Sequence, residues 1–110
     1  MTLLEFAQQV SRTAVQSPIC GIPTVRRLMP TSISLRIPMA IGGFVDTFYN
    51  EETGTTAYAL IQADRRVFGA DNTGRWHLHP FDDPDRHDAL PAAMSFAEFI
   101  AEIEEHYRVW

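Results

Sequence analysis

The apolar positions of this chain follow a helical period at both ends and a strand period in the middle. Leu3, Phe6, Ala7, Val10 and Ala14 recur at i, i+3, i+4, i+7 and i+11, one stripe along a helix. Thr2 and Glu5 stand at the spacing of a capping box, which satisfies two free amides at a helix start. Ser17-Pro18 ends the element. From Thr31 the period changes to two. Ile33, Leu35 and Ile37 alternate with Ser32, Ser34 and Arg36, the signature of a half-buried strand. Pro38 and Gly42-Gly43 break the run. Phe44 to Tyr49 predicts a second strand, Thr55 to Gln62 a third and Arg66 to Ala70 a short fourth. Asn50 to Gly54 and Ala63-Asp64-Arg65 are the turns between them, so these strands are antiparallel neighbours.

Two stretches carry no period. Pro18, Gly21, Pro23 and Pro30 punctuate residues 18–30, which read as a connector. Residues 71–93 are polar and irregular, and a loop of that length in a small domain is usually functional or mobile. The last element is a helix. Ser95 and Glu98 form a second capping box, with Met94 and Phe99 at the staple positions. Phe96, Phe99, Ile100, Ile103 and Tyr107 form its buried stripe, and Glu102, Glu104 and Glu105 face water. The expectation is an α+β fold in a single domain over residues 1–110. An antiparallel sheet of about four strands is covered on one face by the N-terminal and C-terminal helices.

Composition narrows the chemistry. At 110 residues and 45% hydrophobic, the chain can bury one core. No apolar run reaches the roughly 20 residues of a membrane span. The first residues lack a basic flank and include Glu5, which argues against a secretory signal and for a cytoplasmic protein. The single cysteine, Cys20, has neither a partner for a disulfide nor a local base, and reads as an idle thiol. All nine basic residues are arginine. Without lysine, a Walker A loop and Schiff-base chemistry are both excluded. The net charge of −5 is uneven: residues 1–80 carry +1 and residues 81–110 carry −6. A general polyanion-binding surface is disfavoured, while a local arginine cluster near a site is not.

Three of the four histidines, His77, His79 and His87, fall within eleven residues. If Trp76 to His79 is extended, His77 and His79 point to one face. His87 can return to them across the Pro80–Pro84 loop. Three readings stand side by side. Two histidines at i and i+2 with a third His or an Asp suit zinc or another divalent ion. Imidazoles can also serve as base and acid in metal-free cleavage of a phosphodiester, with arginine stabilising the phosphorane. Lastly, loop histidines can simply hydrogen-bond carboxylates and cap turns. Asp71-Asn72-Thr73-Gly74 is also ordinary turn chemistry. His106, near the C-terminus of the last helix, reads as a surface cation favoured by the helix dipole.

The order of these features resembles the small TumE-type toxins of bacterial and archaeal toxin–antitoxin pairs. In that family a strand ends in an Asp-Asn pair, a loop with proline and histidine follows, and a C-terminal helix closes the domain. The resemblance covers about residues 44–106 and is specific at Asp71-Asn72, His77, His79-Pro80 and His87. The chain carries Gly69-Ala70 where the family has an Arg and an aromatic residue, and Asp82, Asp83 and Asp85 where the family's loop is denser in histidine. The resemblance implies a toxin acting on RNA and neutralised by a separate protein partner, the antitoxin. On that reading His77, His79, His87 and Asp71 are catalytic, Arg75, Asn72 and Arg86 hold substrate, and no metal or cofactor takes part. Two other functions fit the residues. One is a non-enzymatic immunity or antitoxin-like module whose acidic C-terminal third meets a basic partner. The other is a small metal-dependent hydrolase.

Overall fold

Capping chemistry sets both helices in the computed structural model, which describes residues 1–108. The Thr2 hydroxyl accepts from the Glu5 amide at 3.1 Å, and the Glu5 carboxylate accepts from the Thr2 amide at 2.8 Å. Helix α1 runs from there over Leu3–Gln16. Ser95 and Glu98 repeat the arrangement at 3.1 and 2.9 Å, and α2 runs over Phe96–His106. Between them lie seven strands: β1 (Thr24–Leu28), β2 (Ser32–Pro38), β3 (Phe44–Asn50), β4 (Thr56–Gln62), β5 (Arg65–Asp71), β6 (His77–His79) and β7 (Asp88–Ala89). They form one antiparallel sheet in sequence order, each strand beside the next.

The class is α+β as expected, but the count of about four strands is too low. The extra three lie in the two stretches without a period. Strand β1 occupies the connector; all five of its residues are exposed, so no burial pattern marks it. Strands β6 and β7, of three and two residues, lie within 71–93 and are too short to show alternation. Tyr107 also departs from the buried stripe given to it. It follows the end of α2, stays 36% exposed, and donates its hydroxyl to Gln62 Oε1 at 3.2 Å. Glu104 is half-buried rather than water-facing and accepts from the Ser17 hydroxyl at 3.1 Å.

The alternation of the strands gives the sheet two unlike faces. Ile33, Leu35, Ile37, Val45, Leu60 and Phe68 point inward and join Phe6 and Val10 of α1 and Phe96, Phe99, Ile100 and Ile103 of α2 in one core. Aromatic contacts knit it: Phe6 stacks on Tyr49 at 4.9 Å and Phe68 on Phe99 at 5.0 Å. The opposite face is uncovered by helix. The strand register orders it in two cross-strand rows: Ser34, Phe48, Ala57, Asp71, His77 and then Arg36, Asp46, Ala59, Gly69, His79. No helix among the described residues is long and apolar enough to cross a membrane.

Candidate functional site

The site lies at the end of the second face. In β6 the two histidines alternate with Leu78, which packs against the core, so His77 and His79 both point outward. Asp71, the last residue of β5, is the direct cross-strand partner of His77, and Gly69 that of His79. The connection from Asp71 to β6 is fixed by side chains. Asn72 Oδ1 accepts from the Thr56 amide at 2.8 Å and its Nδ2 donates to the Gly54 carbonyl at 2.9 Å, clipping the turn to the β3–β4 loop. The Thr73 amide donates to Asp71 Oδ1 at 3.0 Å, an Asx turn.

His87 returns over the loop 80–87 as its position in the sequence suggested. Arg86 holds that loop: its guanidinium donates to Asp88 at 2.8 and 3.0 Å and to Asp82 at 3.1 and 3.4 Å. The carboxylates of Asp88 and Asp82 hold the Arg86 pKa above its ordinary value. The ring centroids of His77, His79 and His87 are 4.9, 4.8 and 4.6 Å apart, with His87 stacked flat on His77. Each ring places a nitrogen within 4.8 Å of a nitrogen of the other two.

His79 is hydrogen-bonded at both ring nitrogens and His77 at Nδ1, with its Nε2 near Asp71. His77 Nδ1 lies 2.8 Å from the Arg75 carbonyl and its Nε2 lies 3.3 Å from Asp71 Oδ1. His79 Nδ1 lies 3.2 Å from the Pro84 carbonyl and its Nε2 lies 3.2 Å from Asp71 Oδ2. His79 is 4% exposed, whereas His87 is exposed and its side chain makes no hydrogen bond among the described residues. Burial tends to raise the Asp71 carboxyl, but the Thr73 amide, the His79 hydrogen bond and the His77 charge outweigh it, so the group sits below the usual carboxylate range. Burial also pushes the His79 imidazole down, and the Arg66 charge adds to this against the opposing pull of Asp71. Both partners shift downward because burial, not pairing, decides at His79.

Of the residues singled out in the sequence, His77, His79, His87 and Asp71 come together. Arg75 is exposed beside them and lends its carbonyl to His77. Asn72 and Arg86 are turned to internal partners, the first in the turn and the second in the loop. His106 is exposed but not free, for its ring stacks on Phe81 at 3.6 Å.

Two residues outside the sequence reading shape the site. Arg66 donates to the Pro84 carbonyl at 3.0 Å, the same oxygen that faces His79 Nδ1. Gly69 leaves room for the Arg66 side chain, since a Cβ there would lie 3.1 Å from Arg66 Cδ and 3.2 Å from the Tyr58 carbonyl. A glycine inside a strand marks such an approach, and that signal was open to reading. Next to Gly69 the face is floored by Ala57 and Ala59, which also line a depression bounded by Arg26, Ser34, Arg36 and Phe48. Arg36 is bound to Asp46 at 2.8 and 3.1 Å and lies 3.8 Å over the Phe44 ring. No family model, curated protein or solved structure matches this chain.

Proposed function

We propose that this protein cleaves RNA over the imidazole–carboxylate centre of its uncovered sheet face, as the toxin of a toxin–antitoxin pair. The observation that carries the reading is the convergence of His77, His79, His87 and Asp71 where no helix covers the sheet. Internal cleavage of RNA moves the 2′-hydroxyl proton to an acceptor, joins that oxygen to phosphorus and releases the 5′ oxygen, which takes up a proton. The products are a 2′,3′-cyclic phosphate and a 5′-hydroxyl. Imidazole is the side chain suited to proton traffic near neutral pH. Burial favours the neutral, accepting form of His79. His87, exposed at the mouth of the centre, is the ring that meets substrate. Arg66 and Arg75, on either side of Asp71 in sequence, supply positive charge. The small floor of Ala57, Ala59 and Gly69 lets a strand of RNA lie close to the sheet, with Phe48 available for stacking. The toxin assignment and its antitoxin partner rest on the resemblance of the Asp71-Asn72, His77, His79-Pro80 and His87 pattern.

The test is direct. Purified protein incubated with labelled single-stranded RNA should yield fragments ending in cyclic phosphate. His87→Ala should slow cleavage by roughly 10²–10⁴-fold. Its unfolding midpoint should not move, since the side chain is exposed. Expression should arrest growth unless the adjacent gene product is present. Full cleavage by a folded His79→Ala, His87→Ala double variant would end the reading.

A further inference from the structure

The hydrogen bonds of the two inner histidines contain a contradiction that a cation removes. A carbonyl oxygen can only accept, so the Arg75 and Pro84 carbonyls place the proton of each ring on Nδ1. A neutral ring protonated there has a lone pair on Nε2. His79 Nε2 then points its lone pair at Asp71 Oδ2 at 3.2 Å, and His77 Nε2 lies 3.3 Å from Oδ1 of the same carboxylate. Acceptor faces acceptor at His79, with a second acceptor crowded beside it at His77. Protonating both rings would relieve this, but it would place two positive imidazoles with centroids 4.9 Å apart, one of them 4% exposed.

We infer that Asp71, His77, His79 and His87 form a binding site for one divalent transition-metal ion of the zinc class. Three features agree with it. Ligands about 2.0–2.1 Å from a tetrahedral metal stand about 3.3 Å from one another, and each inner Nε2 stands at such a distance from its own Asp71 oxygen, His77 from Oδ1 at 3.3 Å and His79 from Oδ2 at 3.2 Å. Three imidazoles and one carboxylate form a donor set for zinc or a similar ion, not for calcium or magnesium, which take oxygen. The Nδ1–H to carbonyl bonds are the outer contacts that orient metal-binding histidines, and Arg66 steadies one of those carbonyls. The nitrogens of the three rings now span up to 4.8 Å, so ligation draws His87 and its loop inward. His87 is the ring free to move, being exposed and without a side-chain hydrogen bond among the described residues. Held by all four groups, the ion has no open position and leaves no imidazole free to move a proton, so the loaded centre is a closed form of the one proposed to cut RNA. That consequence rests on the reading of the centre as RNA-cleaving; ion binding itself does not.

The experiment uses the full chain, stripped with chelator and dialysed. Titration with Co²⁺ should give the visible absorption of a four-coordinate ion at one equivalent, and Zn²⁺ should displace it. Zinc should also raise the unfolding midpoint, because it binds only the folded site. Asp71→Asn and His77→Ala should each weaken binding at least 10–100-fold. His106→Ala, which alters a histidine outside the cluster, should leave binding unchanged. Binding with a Kd weaker than about 1 mM would overturn the inference. So would unaltered binding in both His77→Ala and Asp71→Asn. Cleavage is read separately. RNA cleaved in chelator and spared once zinc is bound is the expected outcome; RNA cleaved at full rate by protein shown to hold zinc overturns the closed form. Zinc bound with no RNA cleaved under any condition leaves the metal site standing and overturns the RNA reading.

Discussion

Gly69 lets Arg66 lie across β5 toward the site loop, and the space it leaves is narrow. A Cβ at that position would stand 3.2 Å from the Tyr58 carbonyl, which is backbone and cannot yield, and 3.1 Å from Arg66 Cδ, which can. Gly69→Ala should therefore cost about 1–3 kcal/mol by overpacking and, by pushing Arg66 off the Pro84 carbonyl that faces His79 Nδ1, weaken ion binding. Denaturant unfolding and a zinc titration of the same variant would check both; an unchanged midpoint would mean the strand opens without cost. Gly43 is the stricter case. Its φ is +72°, and a Cβ there would overlap the Ile61 carbonyl oxygen. The residues of the centre were legible to different degrees. The shared face of His77 and His79 follows from alternation alone. The place of Asp71 opposite His77 needs the β5–β6 register, which no single residue declares. Arg66 was hidden by a bulge. Between Leu60 and Ile61 the register slips so that Arg66 comes opposite Ile61 and onto the outer face. The partners of Arg86 also form only once the loop has folded.

At the scale of elements, legibility followed burial. Helices α1 and α2 and strands β2 to β4 each bury one face, so each wrote its period into the sequence. Strand β1 buries nothing and left no pattern. It forms because it pairs with β2, from Thr24 opposite Arg36 to Leu28 opposite Ile33. Strands β6 and β7 form because β5 offers them an edge. Helix α2 is the element on which the site depends at one remove. Phe99 is fully buried and stacks on Phe68 of β5, at 5.0 Å, and Phe68 stacks on Phe81 of the site loop at 4.3 Å. Truncating Phe99→Ala should cost about 3–5 kcal/mol, a large share of the stability of a domain this size. A loss below about 1 kcal/mol in chemical denaturation would show that α2 does not brace the sheet.

At the scale of the molecule, charge decides which face a polyanion can use. The helical side carries Glu98, Glu102, Glu104 and Glu105 from α2, three of them exposed. The uncovered sheet face carries several of the arginines, but not all of these are available. Arg36 is neutralised by Asp46. That leaves Arg26 at the depression, Arg27 opposite Ser34, Arg66 opposite Ile61 and Arg75 beside the centre, all exposed. Four phosphate contacts on single-stranded RNA predict a slope of log K against log salt of about −3, at about −0.7 for each contact. Anisotropy titrations with His87→Ala protein, which should bind RNA without cutting it, would measure that slope. Arg26→Ala should make it shallower by about 0.7 and weaken binding to all sequences alike, since a phosphate contact carries no base preference. A slope steeper than about −4 would require more cations than this face presents and would place the RNA elsewhere. A slope near zero would mean that these arginines do not meet phosphate, and that the acidic helical side governs the partner instead.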